Sequence, residues 1–301
     1  MPPQTYASPE AFKQAIEQRI RMGAGAAGMA RFRQVLVFDR FLARVFQRFG
    51  DRAIVKGGVV LELRLERART TRDVDIRMSG SSKSLIADLE DASRLDLGDF
   101  LSFTVTPDRD APTIEGDGMV YDGLRFRVQA MLAGKMYAGP FGLDVGFGDV
   151  LTEAPETIDG SDFFSFAGVA RARHRVYPRV SHIAEKFHAY TLPRARENSR
   201  VKDLPDLALL AGMGPLDATA VRKALDATFT FRKSHVLPTS FPAAPASWAA
   251  RYSKIARDDE LPWPSLDVVE AAARAFLDPV LAGTSTETST WSPDAWLWRT
   301  S

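Results

Sequence analysis

The chain has no cysteine, only four histidines, and no apolar run near the roughly 20 residues a membrane helix requires. The first absence excludes disulfides and thiolate-bound zinc, and it suits a reducing cytoplasm. The histidines (His174, His182, His188 and His235) show no metal-ligand spacing. Charge of one sign is also lacking: 39 basic against 38 acidic residues leave a formal charge of +1. Any nucleic-acid binding would therefore need a local basic patch. The first residues, MPPQTYASPEAFKQ, have no basic stretch leading into an apolar one, so no signal peptide is expected. The expectation is a soluble cytoplasmic protein. With 301 residues, 45% of them hydrophobic, it can bury a core without covalent staples.

Periodicity divides the chain into two textures. Ser8, Pro9 and Glu10 predict a capped helix to Gln18. Val35, Phe38, Phe41, Leu42, Val45 and Phe46 predict another over 31–49, stopped by Gly50. Short strands are expected at 53–55, 73–76, 100–106, 124–131 and 141–147, with helices over 59–67 and 82–90 between them. The segment 149–178 reads as loop-rich. Beyond Ser181 the pattern is helical, with segments over 183–190, 204–210, 218–228, 246–255 and 266–276. This predicts an α/β (α+β) core with a mixed sheet over 51–150, preceded by N-terminal helices over 1–50. An all-helical C-terminal domain, mainly helical over 151–301, is expected to follow. The stretch 284–290 reads as a linker, and Trp291, Trp296 and Trp298 predict an end that docks on something apolar.

The chemistry concentrates around Lys56-Gly57-Gly58 and Arg69-Thr70-Thr71-Arg72-Asp73-Val74-Asp75. Residues two apart on a strand share a face, so Asp73 and Asp75 present two carboxylates side by side. Such a pair is most easily explained by a cation between them, and oxygen ligands with open positions suit Mg2+. Gly57-Gly58, at a strand-to-helix turn, lets backbone approach a phosphate closely. Asp144, on a later strand, is the candidate third carboxylate, as a ligand of a second metal or a general base.

The order Gly-Gly, Arg-x-Thr-x-Asp-x-Asp and a later strand aspartate resembles the polymerase-β-like nucleotidyltransferases. More narrowly, it resembles the AbiEii/MenT nucleotidyltransferase toxins of bacterial toxin–antitoxin systems. Glu185-Lys186-Phe187-His188-Ala189 is similar to that family's Glu-Lys-x-x-Ala helix. Arg200-Val201-Lys202-Asp203-Leu204-Pro205-Asp206-Leu207 is similar to its Arg-x-Lys-Asp-x-x-Asp-Leu segment. The matched stretches run from about Val55 to Leu210.

The resemblance implies a nucleotidyltransferase core in which Asp73 and Asp75 bind Mg2+, or Mn2+ in its place, with Asp144 as a further metal ligand. Lys186 would meet the NTP phosphates, and Asp203 or Asp206 would hold Lys186 or act directly. Lys56, Gly57, Gly58, Arg69 and Thr71 would line the nucleotide site. Thr71 also stands where a serine of related toxins can be phosphorylated. The implied reaction adds nucleotides, with CTP or UTP favoured, to the 3′ end of tRNA and blocks translation. The implied partners are tRNA and a cognate antitoxin, with no membrane and a monomeric state. Asp203 also reads as an N-cap of the following helix. Arg31, Arg33, Arg40, Arg171, Arg173, Arg175, Arg179, Arg194, Arg196, Arg200 and Lys202 are candidates for a basic acceptor surface. Two rival readings are transfer to a protein or small-molecule hydroxyl, and a non-catalytic partner-binding module of the same fold.

Overall fold

The computed structural model describes residues 5–65, 71–116, 119–148, 150–194, 198, 200–285 and 288–300. Arg69 and Arg196 lie outside them. Helix α1 spans Pro9–Phe49, with the Ser8 hydroxyl accepting from the Ala11 N–H at 3.2 Å. It is continuous in backbone but not a straight rod. Arg33 Nε donates to Glu17 Oε1 at 2.9 Å, although 16 straight helical residues would span about 24 Å. Tyr137 also reaches Glu17, and the neighbouring Gly139 N–H reaches Gln34. The two arms therefore fold back on each other, close to the two separate helices read from the pattern.

After α1 come β1 (Ala53–Lys56), α2 (Gly58–Arg64), β2 (Asp73–Met78), α3 (Leu85–Ser93) and β3 (Leu101–Pro107). Next are β4 (Thr113–Gly116), β5 (Met119–Leu132), β6 (Lys135–Met136), β7 (Phe141–Phe147), β8 (Glu156–Asp159) and β9 (Arg173–Val176). The second half contains α4 (Arg179–Thr191), α5 (Asp203–Gly212), β10 (Leu216–Asp217), α6 (Ala218–Arg232), α7 (Ala249–Asp258) and α8 (Leu266–Leu281). Two strands, β11 (Ser289–Ser292) and β12 (Leu297–Thr300), follow.

The main sheet runs β3-β5-β7-β2-β1-β9-β8, with β4 and β6 also paired to β5. It is mixed: β2 lies parallel to β7 and β1 parallel to β9, while β1–β2 and β5–β7 are antiparallel. The α/β core with a helical C-terminal region is thus the fold class found. The main sheet extends past residue 150, because β8 and β9, in the stretch read as loop, join its edge. Both strands are only four residues long, too short to stand out against their polar flanks. The second half is not purely helical either, since β10, β11 and β12 form a small antiparallel sheet. The tail read as a linker enters that sheet at Ser289. Trp291 is fully buried and donates to the Ala211 carbonyl at 2.9 Å, while Trp296 and Trp298 donate to carbonyls of α8.

Two apolar cores result. One joins α1, α3 and the main sheet; the other joins α4 to α8 and Trp291. Helix α2 belongs to both: Val59 and Val60 enter the first core and Leu61 the second. This short helix, starting right after Gly57, thus pins the turn of interest to the junction of the two halves.

Inside the first core lies a charge cluster that patterning did not show. Asp99 accepts from Arg44 Nη2 at 2.6 Å and Arg40 Nε at 2.7 Å, all three side chains being buried. Burial alone would raise the Asp99 pKa, but the hydrogen bonds and charges of Arg44 and Arg40 outweigh it and hold it below the usual carboxylate range. Its contribution to stability is therefore present above the unfolded carboxylate pKa of about 3.9 and lost as pH falls through the lower folded value. Asp99→Ala leaves two buried guanidinium groups without their shared counterion. We expect a loss of about 3–5 kcal/mol in denaturant unfolding at pH 7, and a smaller loss at pH 3.

Candidate active site

The site is built on one rung of the main sheet. Lys56 is paired with Asp75 across β1–β2, Asp75 with Asp144 across β2–β7, and Asp144 with Arg125 across β7–β5. Directly paired residues project from the same face. Four strands therefore line up a cation, two carboxylates and a second cation. One step along, Asp73 is paired with Gly142 and Gly142 with Arg127. Asp73 lies two residues before Asp75 and shares its face.

Two glycines are required by this crowding. Gly57 has φ +73°, and a Cβ placed there would stand 1.9 Å from Asp75 Oδ2. A Cβ on Gly142 would stand 2.5 Å from Asp73 Oδ1. Gly57 is thus needed both for its conformation and for space for a carboxylate. Gly58 is buried as the first residue of α2. Thr71 is also buried, and its hydroxyl donates to the Asp73 carbonyl at 3.3 Å, a local role that steadies the start of β2.

Lys186 arrives from the other half of the molecule. Its ammonium donates to Asp206 Oδ2 at 2.6 Å and Asp203 Oδ1 at 3.2 Å. Asp203 is not the cap of α5: Lys202 occupies that position, and Asp203 is the first helical residue with its side chain turned to Lys186. Contact between α2 and α5 sets this group beside the sheet. The electrostatics of Asp75 record the convergence. Its pKa is raised, first by desolvation, then by Asp144 and Asp73, against the lowering charges of Lys56 and Lys186. Lys56, Asp73, Asp75, Asp144 and Lys186, chosen from sequence, are thus one electrostatic unit.

Asp144 departs from the expected metal cage. Arg125 Nε donates to its Oδ1 at 2.8 Å and Arg125 Nη2 to its Oδ2 at 2.9 Å. Among the described residues, no group of three carboxylates and imidazoles is arranged to hold a metal ion. Asp73 and Asp75 remain a pair that fits a divalent cation: adjacent and on one face, with Asp73 among the charges that raise the Asp75 pKa. Sequence reading missed Arg125 and Gly142. The signals were present, in the Gly-x-Asp of β7 and in the arginines alternating along the strand beside it.

Several of the arginines expected on a basic surface are engaged with other groups, while Arg173 is exposed. Arg40 is buried on Asp99, Arg33 binds Glu17, and Arg31 lies 3.4 Å from Glu62. Arg171 pairs with Asp159, and Arg175 pairs with Asp51 at the end of β1 away from Lys56. Arg179 binds the Pro215 carbonyl, and Arg194 is half-buried. Exposed basic residues close in sequence to the site are Arg72, Arg127, Arg200 and Lys202.

A profile described as nucleotidyl transferase AbiEii toxin, type IV toxin–antitoxin system, matches residues 40–293. The chain belongs to the AbiEii nucleotidyltransferase toxin family. That match covers β1 to β11 and every residue of the rung. It assigns the class of reaction, nucleotidyl transfer, with an NTP and a divalent metal as the family's general requirements. It also places the chain among toxins that have an antitoxin counterpart. Among solved structures, MenT4, the nucleotidyltransferase toxin Rv2826c from Mycobacterium tuberculosis H37Rv, is similar at 17% identity and a TM-score of 0.50. The similarity covers 90% of this chain and 99% of that one, and at this identity it supports the fold alone. JHP933 from Helicobacter pylori matches at 12% identity and a TM-score of 0.42, covering 84% of this chain and 98% of its own. No curated protein matches the sequence. Among the described residues no helix is long and apolar enough to cross a membrane.

Two consequences can be measured. Gly57→Ala should cost about 1–3 kcal/mol in denaturant unfolding, through strain at a positive φ and collision with Asp75. The charged form of Asp75 is disfavoured in the fold, as its raised pKa shows, so Asp75→Asn should stabilise the protein by up to about 2 kcal/mol at pH 7. That gain should shrink as pH falls and Asp75 takes up its proton. An Asp75→Asn protein less stable than the native one at pH 7 contradicts this reading.

Proposed function

We propose that the chain transfers a nucleotidyl group from an NTP to the 3′-hydroxyl of tRNA, so that translation stops. The observation carrying this is the convergence of Lys56, Asp73, Asp75 and Lys186 at one point where both halves of the fold meet. Asp73 and Asp75 would hold Mg2+, with Mn2+ able to replace it. Such an ion supplies neutralisation of phosphate charge and alignment of the reacting oxygens. Lys186, held by Asp203 and Asp206, presents its ammonium to the triphosphate as a point charge. Lys56 neutralises the same region, and the Gly57-Gly58 turn keeps side chains clear of it. Arg69 and Thr71 belong to the segment leading into Asp73, and Thr71 there has a structural part.

The acceptor oxygen forms a bond to the α-phosphorus, the bond from that phosphorus to the bridging oxygen breaks, and pyrophosphate leaves. The hydroxyl proton must be taken up by a base, and Asp144, once released by Arg125, is the proposed carboxylate. CTP or UTP is the proposed donor. The protein would work as a monomer in the cytoplasm beside a cognate antitoxin. Transfer to a protein or small-molecule hydroxyl is the second reading, favoured by how many arginines are engaged in ion pairs. A non-catalytic module has no use for carboxylates that repel one another.

The test is incubation with total tRNA, Mg2+ and each α-32P-labelled NTP in turn. Label should enter tRNA with CTP or UTP, and Asp75→Asn and Lys186→Met should each lower the rate by about 10²-fold or more. Label found on protein instead would move the acceptor. No label with any NTP on any acceptor would overturn the catalytic reading.

A further inference from the structure

Arg125 grips Asp144 through two hydrogen bonds. Both groups sit on the working face of the sheet, with side chains 37% and 22% exposed. Water or neighbouring groups could satisfy each separately. The pair instead has a consequence for the carboxylates beside it. Asp144 faces Asp75 directly across β2–β7, the position from which it would join Asp73 and Asp75 around a cation. Yet both of its oxygens are turned to the guanidinium on the far side. A carboxylate held in this way has each oxygen engaged by the guanidinium, and no cation cage of three forms among the described residues.

Resting on the nucleotidyltransferase reading, we infer that Arg125 is a positioning residue that holds Asp144 away from the cation site until a triphosphate takes Asp144's place on the guanidinium. Arg suits this task because its planar fork matches carboxylate and phosphate alike. The pair is also partly open to solvent, so phosphate oxygens can reach the guanidinium and compete for it. Before nucleotide arrives, the chain offers a cation two carboxylates. Once phosphate oxygens occupy Arg125, it offers three. The device makes full metal binding depend on substrate, and the guanidinium offsets part of the repulsion that Asp144 adds to Asp75 before substrate arrives.

Two binding measurements on the full chain, neither of which needs turnover, test this. The first is Mn2+ titration followed by electron paramagnetic resonance without nucleotide. Arg125→Gln should bind Mn2+ about tenfold tighter than the native protein, because Asp144 is released toward the ion. The double variant Arg125→Gln/Asp144→Asn should return to native affinity or below. Arg125→Lys, which keeps the charge, should stay within about threefold of native. The second is calorimetric binding of inorganic tripolyphosphate in EDTA. Arg125→Gln should weaken it about tenfold, whereas Asp144→Asn, which frees the guanidinium, should tighten it. Circular dichroism confirms that each variant is folded.

Unchanged or weaker Mn2+ binding in Arg125→Gln overturns the inference, as does failure of Asp144→Asn to tighten tripolyphosphate. Asp75→Asn separates the two levels. If it abolishes Mn2+ binding while Arg125→Gln has no effect, only the role of Arg125 falls. If Mn2+ binding survives Asp75→Asn, the metal-site reading beneath it falls too.

Discussion

Everything in this site depends on strand register. Lys56, Asp75, Asp144 and Arg125 come from four separate stretches of chain, and only the alignment of β1, β2, β7 and β5 brings them into a line. A slip of one residue in β2 would turn Asp73 and Asp75 to the opposite face and Val74 to theirs. Val74, Ile76, Leu143 and Val145 prevent it, because each is buried in the first core and would be driven into the site by such a slip. The hydrophobic face of the sheet thus fixes the chemistry of the other face.

The second half of the molecule completes what the sheet cannot. Helices α4 and α5 pack into their own core and deliver Lys186 already bound to Asp203 and Asp206. Two carboxylates on one ammonium fix where the charge stands and leave it partly neutralised before substrate arrives. The sheet side is the reverse: Asp75 is desolvated and set beside Asp73 and Asp144. Stability is given up there and recovered in places with no catalytic part, such as Arg40 and Arg44 on Asp99. Glycine at 57 and 142 is a further concession, since backbone must come within carboxylate distance.

The sequence made the reacting groups legible because each is a local pattern. Asp-x-Asp on a strand, Gly-Gly at a turn and Lys186 on a helix all announce themselves within a few residues. The strands with strong alternation were placed well: Phe141–Phe147 was read at its observed limits. What escaped depends on pairs distant in the chain. Strands β8 and β9 have only four residues each and are defined by their partners. The bend in α1 is imposed by contacts such as Glu17 with Arg33 and Tyr137, which helical periodicity does not encode. The arginines misled for the same reason. Arg31, Arg33, Arg40 and Arg175 read as a basic face, yet each meets an acid brought near by folding. Arg125 was visible as one arginine among several, and only its register opposite Asp144 set it apart.

The most direct test of the central claim is where a cation and a nucleotide sit. A crystal of the protein with Mn2+ and a non-hydrolysable NTP, measured at the manganese edge, locates both. The account predicts an anomalous peak between the Asp73 and Asp75 carboxylates, with triphosphate oxygens on the Lys186 ammonium. A nucleotide bound elsewhere, or manganese with no contact to Asp75, would contradict it.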